Sequence, residues 1–256
     1  MVRLYAHRGA AAELPENTLP AFARALQLGA DAIETDAHLT LDGHVVLAHD
    51  PTGKRMAGVR RAIAECTLEE VWRWDAGKNF QPRPGAALAA PGSFRVPSLA
   101  EALVEFPETP FNVDVKDPQP RMIAAVLDVV RRAGAEDRVL LTSFETSPLQ
   151  AIRAAGYRTT GLAQGEVAKL ALLPGPLARR LKLEGRRAQV PVSAYGIRLD
   201  KRGFLERCHR RGLAVDYWTV NDPEEARRLV ELGADGIMTD DPARIAPALG
   251  KKGPAT

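Results

Sequence analysis

Two histidines and three carboxylates stand within or directly after apolar, strand-like segments of this 256-residue chain. His7 follows the run VRLYA and His49 follows VVLA, while Glu34 and Asp36 lie in AIETD and Asp114 lies in FNVDV. Desolvating a charge beside apolar segments is costly unless something compensates it. The pattern therefore predicts a functional site and not ordinary core.

The three carboxylates offer only oxygen ligands, and no cysteine stands near them in the sequence. Such a set suits a hard divalent cation better than it suits zinc. A bound cation also neutralises carboxylates that would otherwise repel one another. We therefore expect Glu34, Asp36 and Asp114 to bind one divalent cation, Mg²⁺ or Ca²⁺, with Mn²⁺ as a further option.

Two histidines and two fixed cations complete the set. Histidine titrates near neutral pH, so one of His7 and His49 can act as a general base and the other as a general acid. Arg8 and Lys116 carry donors that can hold a phosphate group. A cation, an acid–base pair and a phosphate-binding pair together indicate phosphoryl chemistry.

A repeated pattern of helix end, glycine turn and apolar strand must position these residues. LGADAIETD at 28–36 is echoed by LGADGIMTD at 232–240, and glycine just past a helix is a common cap. This alternation predicts βα units with parallel strands. About eight such strands in a chain of this length favour a (β/α)₈ TIM barrel. No GxGxxG is present, which argues against a dinucleotide-binding open sheet.

The predicted strands are 2–7, 31–37, 45–48, 111–115, 138–143, 158–163, 192–197, 214–220 and 235–239. The predicted helices are 17–28, 97–106, 119–133, 147–155, 166–183, 201–211 and 223–232. Asn17 or Thr18 can cap the first helix, and Asp222 can cap the last, where Pro223 takes the first helical position. Period-two alternation in FNVDVK places residues 112, 114 and 116 on one face of their strand.

Residues 50–96 break this pattern and are rich in glycine, proline and alanine. We interpret them as a small insertion in a βα loop on the C-terminal face of the barrel, where active sites are built. We expect this insertion to form a cap over the site. The whole chain, 1–256, is predicted to be a single domain.

Composition excludes several classes of protein. With 45% hydrophobic residues the chain can bury a substantial core. The formal charge is only +3 and the basic residues are scattered, which does not indicate nucleic-acid binding. No segment approaches the ~18 apolar residues of a membrane span. Cys66 and Cys208 are too few for a disulfide framework, and with no signal peptide recognised we expect a cytoplasmic protein without stable membrane insertion.

The motifs resemble those of the glycerophosphodiester phosphodiesterase family, in that family's order along almost the whole chain. They are HRG at 7–9, PENT at 15–18, ExD at 34–36, HD at 49–50, VPSLAEAL at 96–103, NVDVK at 112–116, SF at 143–144, WTVN at 218–221 and GADGIMTDDP at 233–242.

The resemblance implies a barrel enzyme that cleaves glycerophosphodiesters to glycerol 3-phosphate and an alcohol. It implies that His7 and His49 are the acid–base pair, and that Glu34, Asp36 and Asp114 bind the metal. It also implies that Arg8 and Lys116 bind phosphate and that Trp218 lines the glycerol side. The family usually has glutamate where this chain has Asp114, whose side chain reaches ~1.5 Å less far.

Several alternatives remain open at this stage. The attacking group is either water or the glycerol 2-hydroxyl, which gives a cyclic phosphate. Lysophospholipase D activity on the same phosphodiester is the second reading, and a non-catalytic barrel that binds phosphorylated glycerol is the third. His38, His44 and His209 are interpreted as surface residues, and a structural role is favoured for Asp240. The oligomeric state is not fixed by these patterns.

Overall fold

The computed structural model describes residues 1–86 and 94–253. Its strands are β1 Arg3–His7, β2 Ala32–Leu39, β3 Val45–Leu47, β4 Phe111–Val115, β5 Val139–Thr142, β6 Arg187–Val190, β7 Ser193–Ala194, β8 Ile197–Arg198, β9 Ala214–Tyr217 and β10 Gly236–Thr239. Its helices are α1 Leu19–Gln27, α2 Lys54–Ala57, α3 Leu68–Trp72, α4 Leu99–Glu105, α5 Pro120–Arg132, α6 Thr146–Ala154, α7 Gln164–Leu172, α8 Gly175–Ala178, α9 Arg202–His209, α10 Pro223–Leu232 and α11 Pro242–Ala248. A single 3₁₀ turn, Ile63–Glu65, lies between α2 and α3.

Parallel strands curl into a closed barrel. Seven strands pair in the order β5-β4-β2-β1-β10-β9-β6. The ring closes through residues 159–162, where Thr160 bridges Leu141 of β5 and Gly161 bridges Arg187 of β6, both in parallel. Backbone hydrogen bonds support both sides of this closure, including one of 2.9 Å from Leu162 N to Arg187 O. The predicted α/β barrel fold is confirmed.

Two strand predictions were wrong in pairing or place. The segment predicted at 45–48 is the short β3, but it pairs antiparallel with β2 and is not a barrel strand. The strand predicted at 192–197 is instead the β7–β8 hairpin, and the barrel strand is β6, five residues earlier. Pro191 ends β6 because it has no backbone N–H to donate to a neighbouring strand.

Most helices lie where the sequence pattern predicted them, but one predicted helix is divided into two. The predicted helix 166–183 is split into α7 and α8. Leu173 is extended (ψ 144°) before Pro174, as the steric demand of proline on the preceding residue requires. The short helices α2, α3 and α11 were not predicted. Thr18 caps α1 by accepting from Ala21 N, and Asp222 caps α10 as expected.

The barrel strands are buried on both faces, and two large apolar clusters pack between them and the helices. The insertion has a separate small cluster, in which Met56, Ile63, Val71 and Trp74 pack against Val46. This cluster anchors the insertion to the β3 side of the barrel. Part of the predicted insertion, residues 87–93, lies outside the described residues. No helix in the described ranges is both long and apolar enough to span a bilayer.

Strand register aligns the polar residues of neighbouring strands. His7 is opposite Glu34 between β1 and β2. Glu34 is opposite Asn112, and Asp36 is opposite Asp114, between β2 and β4. Because adjacent strands lie about 4.8 Å apart, these side chains are neighbours at the C-terminal end of the barrel.

Candidate active site

A cavity of about 800 Å³ opens at the C-terminal ends of the barrel strands. All eight residues singled out from the sequence line it: His7, Arg8, Glu34, Asp36, His49, Asp114, Lys116 and Trp218. They come from β1, β2, β4 and the segments that follow β1, β3, β4 and β9. The fold thus brings together residues that are separated by as much as 211 positions in the chain.

Lys116 lies between two of the carboxylates. Its Nζ is 2.8 Å from Asp36 Oδ1 and 2.6 Å from Asp114 Oδ2. Both acids are buried, and Lys116 is itself mostly covered. Burial raises the pKa of Asp114 despite the opposing effect of Lys116. Burial would also lower the pKa of Lys116, but Asp114 and Asp36 reverse that effect and raise it. The single positive charge of Lys116 therefore offsets part of the negative charge of this pair.

Arg8 contacts Asp36 from the other side. Its Nε lies 3.2 Å from Asp36 Oδ2, which also accepts a 3.2 Å hydrogen bond from Asn17 Nδ2. Burial alone would raise the pKa of Asp36, but Lys116 and Arg8 outweigh it and hold that pKa below its usual value. Arg8 and Asn17 both have positive φ, 59° and 56°. This conformation is rare for an arginine and is typical of residues fixed at functional sites.

Glu34 is the carboxylate without a cation at hydrogen-bond distance. It is buried, and its Oε2 has no hydrogen-bond partner. The Nε2 atom of His7 lies 3.8 Å from this oxygen. Burial raises the pKa of Glu34, and His7 opposes this shift only in part. Asn112, opposite Glu34 on β4, also has an unpartnered buried oxygen, Oδ1.

The carboxylate and amide oxygens of the site are of the type that binds hard cations, although they are not gathered around one point. Within residues 1–86 and 94–253, no three His, Cys, Asp or Glu side chains are close enough together to hold a metal ion. Lys116 occupies the position between Asp36 and Asp114 instead. The orphaned Oε2 of Glu34 and Oδ1 of Asn112 are acceptors that a cation would satisfy.

His7 is oriented by a carboxylate from the far end of the chain. Its Nδ1 lies 2.6 Å from Asp240 Oδ1. Asp240 is held in turn by Asn221, whose Nδ2 donates to Asp240 Oδ2 at 2.7 Å. Burial would lower the pKa of His7, but Glu34 and Asp240 outweigh it and raise that pKa. With Nδ1 engaged by Asp240, Nε2 is the nitrogen left for the substrate.

His49 has a matching arrangement. Its Nδ1 lies 2.8 Å from Asp50 Oδ1, and Asp50 Oδ2 accepts a 2.6 Å hydrogen bond from Arg55 Nε. His38 lies on β2, half-buried, with its Nε2 3.1 Å from the backbone oxygen of His49. The interpretation of His38 as a surface residue was therefore wrong, whereas His44 and His209 are exposed as predicted. Both candidate catalytic histidines thus present Nε2 as the free nitrogen.

The other half of the cavity is apolar. Its walls come from α7, through Val167, Ala168 and Leu172, and from the β7–β8 hairpin, through Tyr195 and Ile197. Leu172, Tyr195 and Ile197 expose 63%, 89% and 39% of their surface at its rim. Among the described residues of the insertion that follow Asp50, none lines the cavity. The expectation that the insertion covers the site was therefore wrong for these residues: its apolar cluster packs beside β3, and Arg83 contacts Ala12 and Asp241 in the segments after β1 and β10.

An aromatic pair also lines the cavity. The rings of Phe144 and Trp218 meet edge to face with centroids 5.4 Å apart. Lys116 Nζ lies 5.7 Å from the centroid of Phe144, close enough for a cation–π contact. Phe144 thus contacts both Lys116 and Trp218 in the cavity lining.

A sequence model of one protein family matches nearly the whole chain. The model of the glycerophosphoryl diester phosphodiesterase family matches residues 7–244. The chain belongs to this family. Family membership and the prediction of an enzyme of the phosphodiesterase class are thereby confirmed, as the motifs implied.

Two relatives align with this chain along most of its length. The chain is 31% identical over 259 residues to a glycerophosphodiester phosphodiesterase of Caldanaerobacter subterraneus subsp. tengcongensis, covering 97% of this chain and 98% of that protein. It is 27% identical over 265 residues to lysophospholipase D GDPD1 of Homo sapiens, covering 93% and 83%. A glycerophosphodiester phosphodiesterase and a lysophospholipase D therefore both align with almost all of this chain.

Solved structures of two phosphodiesterases share the fold. A glycerophosphodiester phosphodiesterase of Agrobacterium tumefaciens matches with a TM-score of 0.78 at 23% identity, covering 98% of this chain and 100% of that one. A phosphodiesterase of Oleispira antarctica, solved with its product sn-glycerol-3-phosphate, matches with a TM-score of 0.76 at 23% identity, covering 97% of each chain. At this identity the likeness supports the barrel fold.

Sequence reasoning missed two groups of residues in this phosphodiesterase-family site. Asp240 was given a structural role, yet it contacts His7 directly. Its place in the TDDP motif after β10 was the available signal, since strand C-terminal ends build the active face of a barrel. The apolar wall from α7 and the hairpin was also missed, because its residues look like ordinary helix and turn residues in the sequence.

Proposed function

We propose that this protein hydrolyses glycerophosphodiesters to glycerol 3-phosphate and an alcohol, with a divalent cation and two histidines. The observation that carries the proposal is the pairing of His7 with Asp240 and of His49 with Asp50 in one cavity. Two imidazoles, each oriented through Nδ1 by a carboxylate, can transfer protons to and from a substrate through Nε2. The same cavity holds Arg8 and Lys116.

Charge balance supports a cation in this site. Three carboxylates face two fixed cations, and Arg8 and Lys116 are both engaged by Asp36. A phosphodiester is an anion, so each of these carboxylates that is ionised repels it unless further positive charge is present. Added positive charge would neutralise the carboxylates and leave the Arg8 and Lys116 donors for the phosphate.

Glu34, Asp36 and Asp114 would hold this cation after moving closer together than they are in this structure, with Mg²⁺, Ca²⁺ and Mn²⁺ as the candidates. Oxygen ligands of this kind are typical of those ions. When bound, the ion supplies Lewis acidity that polarises a phosphate oxygen. Arg8 and Lys116 then hold the phosphate and stabilise the negative charge that builds during the reaction.

The two histidines move the protons. One accepts a proton at its Nε2 from the attacking group, which is either water or the glycerol 2-hydroxyl. The other donates a proton from its Nε2 to the departing alcohol. Asp240 and Asp50 hold the rings and stabilise the imidazolium form. Trp218 lies beside this charged half and is the candidate wall for the glycerol group. Each histidine is expected to contribute ~10²–10⁴ in rate.

Glycerol 3-phosphate release tests this proposal. Purified protein is incubated with glycerophosphocholine, treated with EDTA, and supplied again with Mg²⁺, Ca²⁺ or Mn²⁺ in separate reactions. We expect release that EDTA abolishes and that at least one of the ions restores. Undiminished release in EDTA would remove the metal from the proposal. No release with any ion would instead favour a barrel that binds phosphorylated glycerol without cleaving it.

Lysophospholipase D activity is a second candidate, and the apolar half of the cavity favours it. An acyl chain joined to the glycerol would find apolar walls in the same cavity, formed by α7 and the β7–β8 hairpin. The phosphodiester chemistry is the same for both substrates. What differs is only whether a hydrocarbon chain fills this half of the cavity.

Two exposed leucines test that second activity. We expect Leu172→Asp, on the cavity rim, to reduce the kcat/KM for lysophosphatidylcholine at least about tenfold, because a charge is costly against a hydrocarbon chain. The kcat/KM for glycerophosphocholine should change little. Leu177→Asp is the matched control, since Leu177 is 50% exposed and does not line the cavity. Equal kinetics of wild type and Leu172→Asp on lysophosphatidylcholine would argue against an acyl chain at this wall.

We place this activity in the cytoplasm. Cys66 and Cys208 are the only cysteines, and both are buried free thiols. Unpaired cysteines are typical of a reducing compartment. The proposed partner is a small-molecule phosphodiester.

A further inference from the structure

Arg55 lies outside the cavity but contacts two carboxylates, each of which is hydrogen-bonded to a residue that lines the cavity. It is on α2 of the insertion, and its side chain is 49% exposed. The guanidinium donates three hydrogen bonds, to Asp50 and to both oxygens of Glu16. Asp50 follows β3, whereas Glu16 belongs to the PENT segment before α1. One exposed side chain thus joins two separate segments, each of which supports a residue that lines the cavity.

The first branch leads to His49. Arg55 Nε donates to Asp50 Oδ2 at 2.6 Å, and the other oxygen of Asp50 lies 2.8 Å from His49 Nδ1. Asp50 therefore uses one oxygen for each partner. A carboxylate bonded only to His49 could rotate about its side-chain torsions, whereas one bonded on both oxygens has a single orientation.

The second branch leads to Arg8. Nη1 and Nη2 of Arg55 donate to Glu16 Oε2 and Oε1 at 2.8 and 2.7 Å. Glu16 Oε1 also accepts a 3.2 Å hydrogen bond from Arg8 Nη1. Burial would raise the pKa of Glu16, but Arg55 and Arg8 outweigh it and lower that pKa, so Glu16 stays ionised between the two arginines.

The two branches require a guanidinium. The contact with Glu16 is bidentate, and the contact with Asp50 uses the third nitrogen of the same plane. Arginine supplies these donors in one rigid fork, while a lysine ammonium is a point charge that cannot reproduce it. The geometry at Arg55 is therefore more specific than that of an ordinary surface ion pair.

We propose that Arg55 is a positioning residue, which fixes His49 through Asp50 and Arg8 through Glu16 at the same time. Through this one side chain the insertion, whose described residues after Asp50 do not line the cavity, controls both proton transfer and phosphate binding. The inference rests on the proposed phosphodiesterase function. It assigns to the insertion a role that its position beside the barrel does not suggest.

Steady-state kinetics on glycerophosphocholine with saturating metal separate the two branches. We expect Asp50→Asn to lower kcat ~10–100-fold, the usual effect of losing a partner that orients a functional histidine. We expect Glu16→Gln to raise KM several-fold, because it loosens Arg8, with a smaller effect on kcat. Arg55→Ala should show both changes.

A double variant distinguishes positioning from a purely structural role. In the Asp50→Asn background, Arg55→Ala should reduce kcat by less than about twofold more, because the route from Arg55 to His49 is already broken. Its effect on KM should persist there. The melting temperature of Arg55→Ala should stay close to that of wild type, since exposed ion pairs stabilise little.

Arg61→Ala is the matched control. Arg61 is 52% exposed, lies on the same insertion, and pairs with Glu70 away from the cavity. Its kinetics should equal those of wild type. Wild-type kcat and KM in Arg55→Ala would overturn the inference, as would an undiminished kcat effect in the Asp50→Asn background. Absence of product from the wild-type protein would overturn the proposed function instead, so the two failures are distinct.

Discussion

The Nδ1 atom of His7 lies 2.6 Å from Oδ1 of Asp240, a residue 233 positions later in the chain. The pairing joins β1 to the residue after β10, two neighbouring strands of the barrel. A carboxylate on Nδ1 sets both the ring orientation and the tautomer of a histidine. Asp240 therefore determines whether Nε2 of His7 faces the substrate in the correct form.

Replacing Asp240 tests this role. We expect Asp240→Asn to lower kcat on glycerophosphocholine ~10–100-fold, because the amide orients the imidazole less strictly and cannot stabilise its charged form. The measurement is initial-rate kinetics together with a melting temperature. Asp128→Asn, an exposed carboxylate of α5, is the control. A kcat within about twofold of wild type would mean that Asp240 has only a structural role.

Removing Lys116 tests the charge balance of the carboxylates. Without its ammonium, Asp36 and Asp114 face each other as buried like charges. We expect Lys116→Met to lose about 3 kcal/mol of unfolding free energy in EDTA. A divalent cation that binds these acids should restore more stability to the variant than it adds to wild type. Thermal melting with and without Mg²⁺, Ca²⁺ or Mn²⁺ measures both effects.

The control for this experiment is Lys251→Met, which breaks the ion pair between Lys251 and Asp31 away from the cavity. Its melting temperature should respond to cations as wild type does. If cations raised the melting temperature of Lys116→Met no more than that of wild type, the carboxylates would not form a metal site.

Asp114 differs from the glutamate that the family usually has. We expect Asp114→Glu to remain active, because the carboxylate is kept and its reach grows by ~1.5 Å. The metal concentration that gives half-maximal rate should change, and the order of preference among Mg²⁺, Ca²⁺ and Mn²⁺ should change with it. Asp114→Asn should lose most activity. Identical metal titrations of wild type and Asp114→Glu would argue against Asp114 as a ligand.

The thiols give a pH-dependent test of the fold. Burial raises the pKa of Cys208 to about 12, and the thiolate is the reactive form. At pH 8 only ~10⁻⁴ of this thiol is ionised, so Ellman's reagent should modify it no faster than the protein unfolds. Cys66 has no exposed surface, so Ellman's reagent should modify it equally slowly. Raising the pH from 7 to 9 should leave both thiols protected, whereas rapid labelling of the native protein would contradict their burial.

Much of the fold follows from local patterns. The glycine turns after helices and the alternation in FNVDVK predicted β1, β2, β4, β9 and β10 near their observed places. Direction of pairing was not predictable for 45–48, because an antiparallel strand has the same side-chain alternation as a parallel one. The barrel strand at 187–190 was missed because arginine and glutamine alternate there with alanine and valine, and the more apolar segment beyond Pro191 was preferred.

The candidate site was predictable where residue types signal their chemistry. His7, His49 and the acids stood out because charged groups beside apolar strands require compensation. The links from Arg55 to Glu16 and from His7 to Asp240 could not be foreseen, since they depend on which segments meet in space. The apolar wall of the cavity was not predictable either, because Val167 and Ala168 differ from core residues only in facing a cavity.

The central claim is that His7 and His49 transfer protons in a single phosphodiesterase site. The most direct test is the rate of glycerol 3-phosphate release from glycerophosphocholine by wild type, His7→Ala and His49→Ala at saturating metal. We predict a loss of ~10²–10⁴ in kcat for each variant, with melting temperatures near that of wild type. Turnover close to wild type in either alanine variant, with the fold intact, would contradict the account.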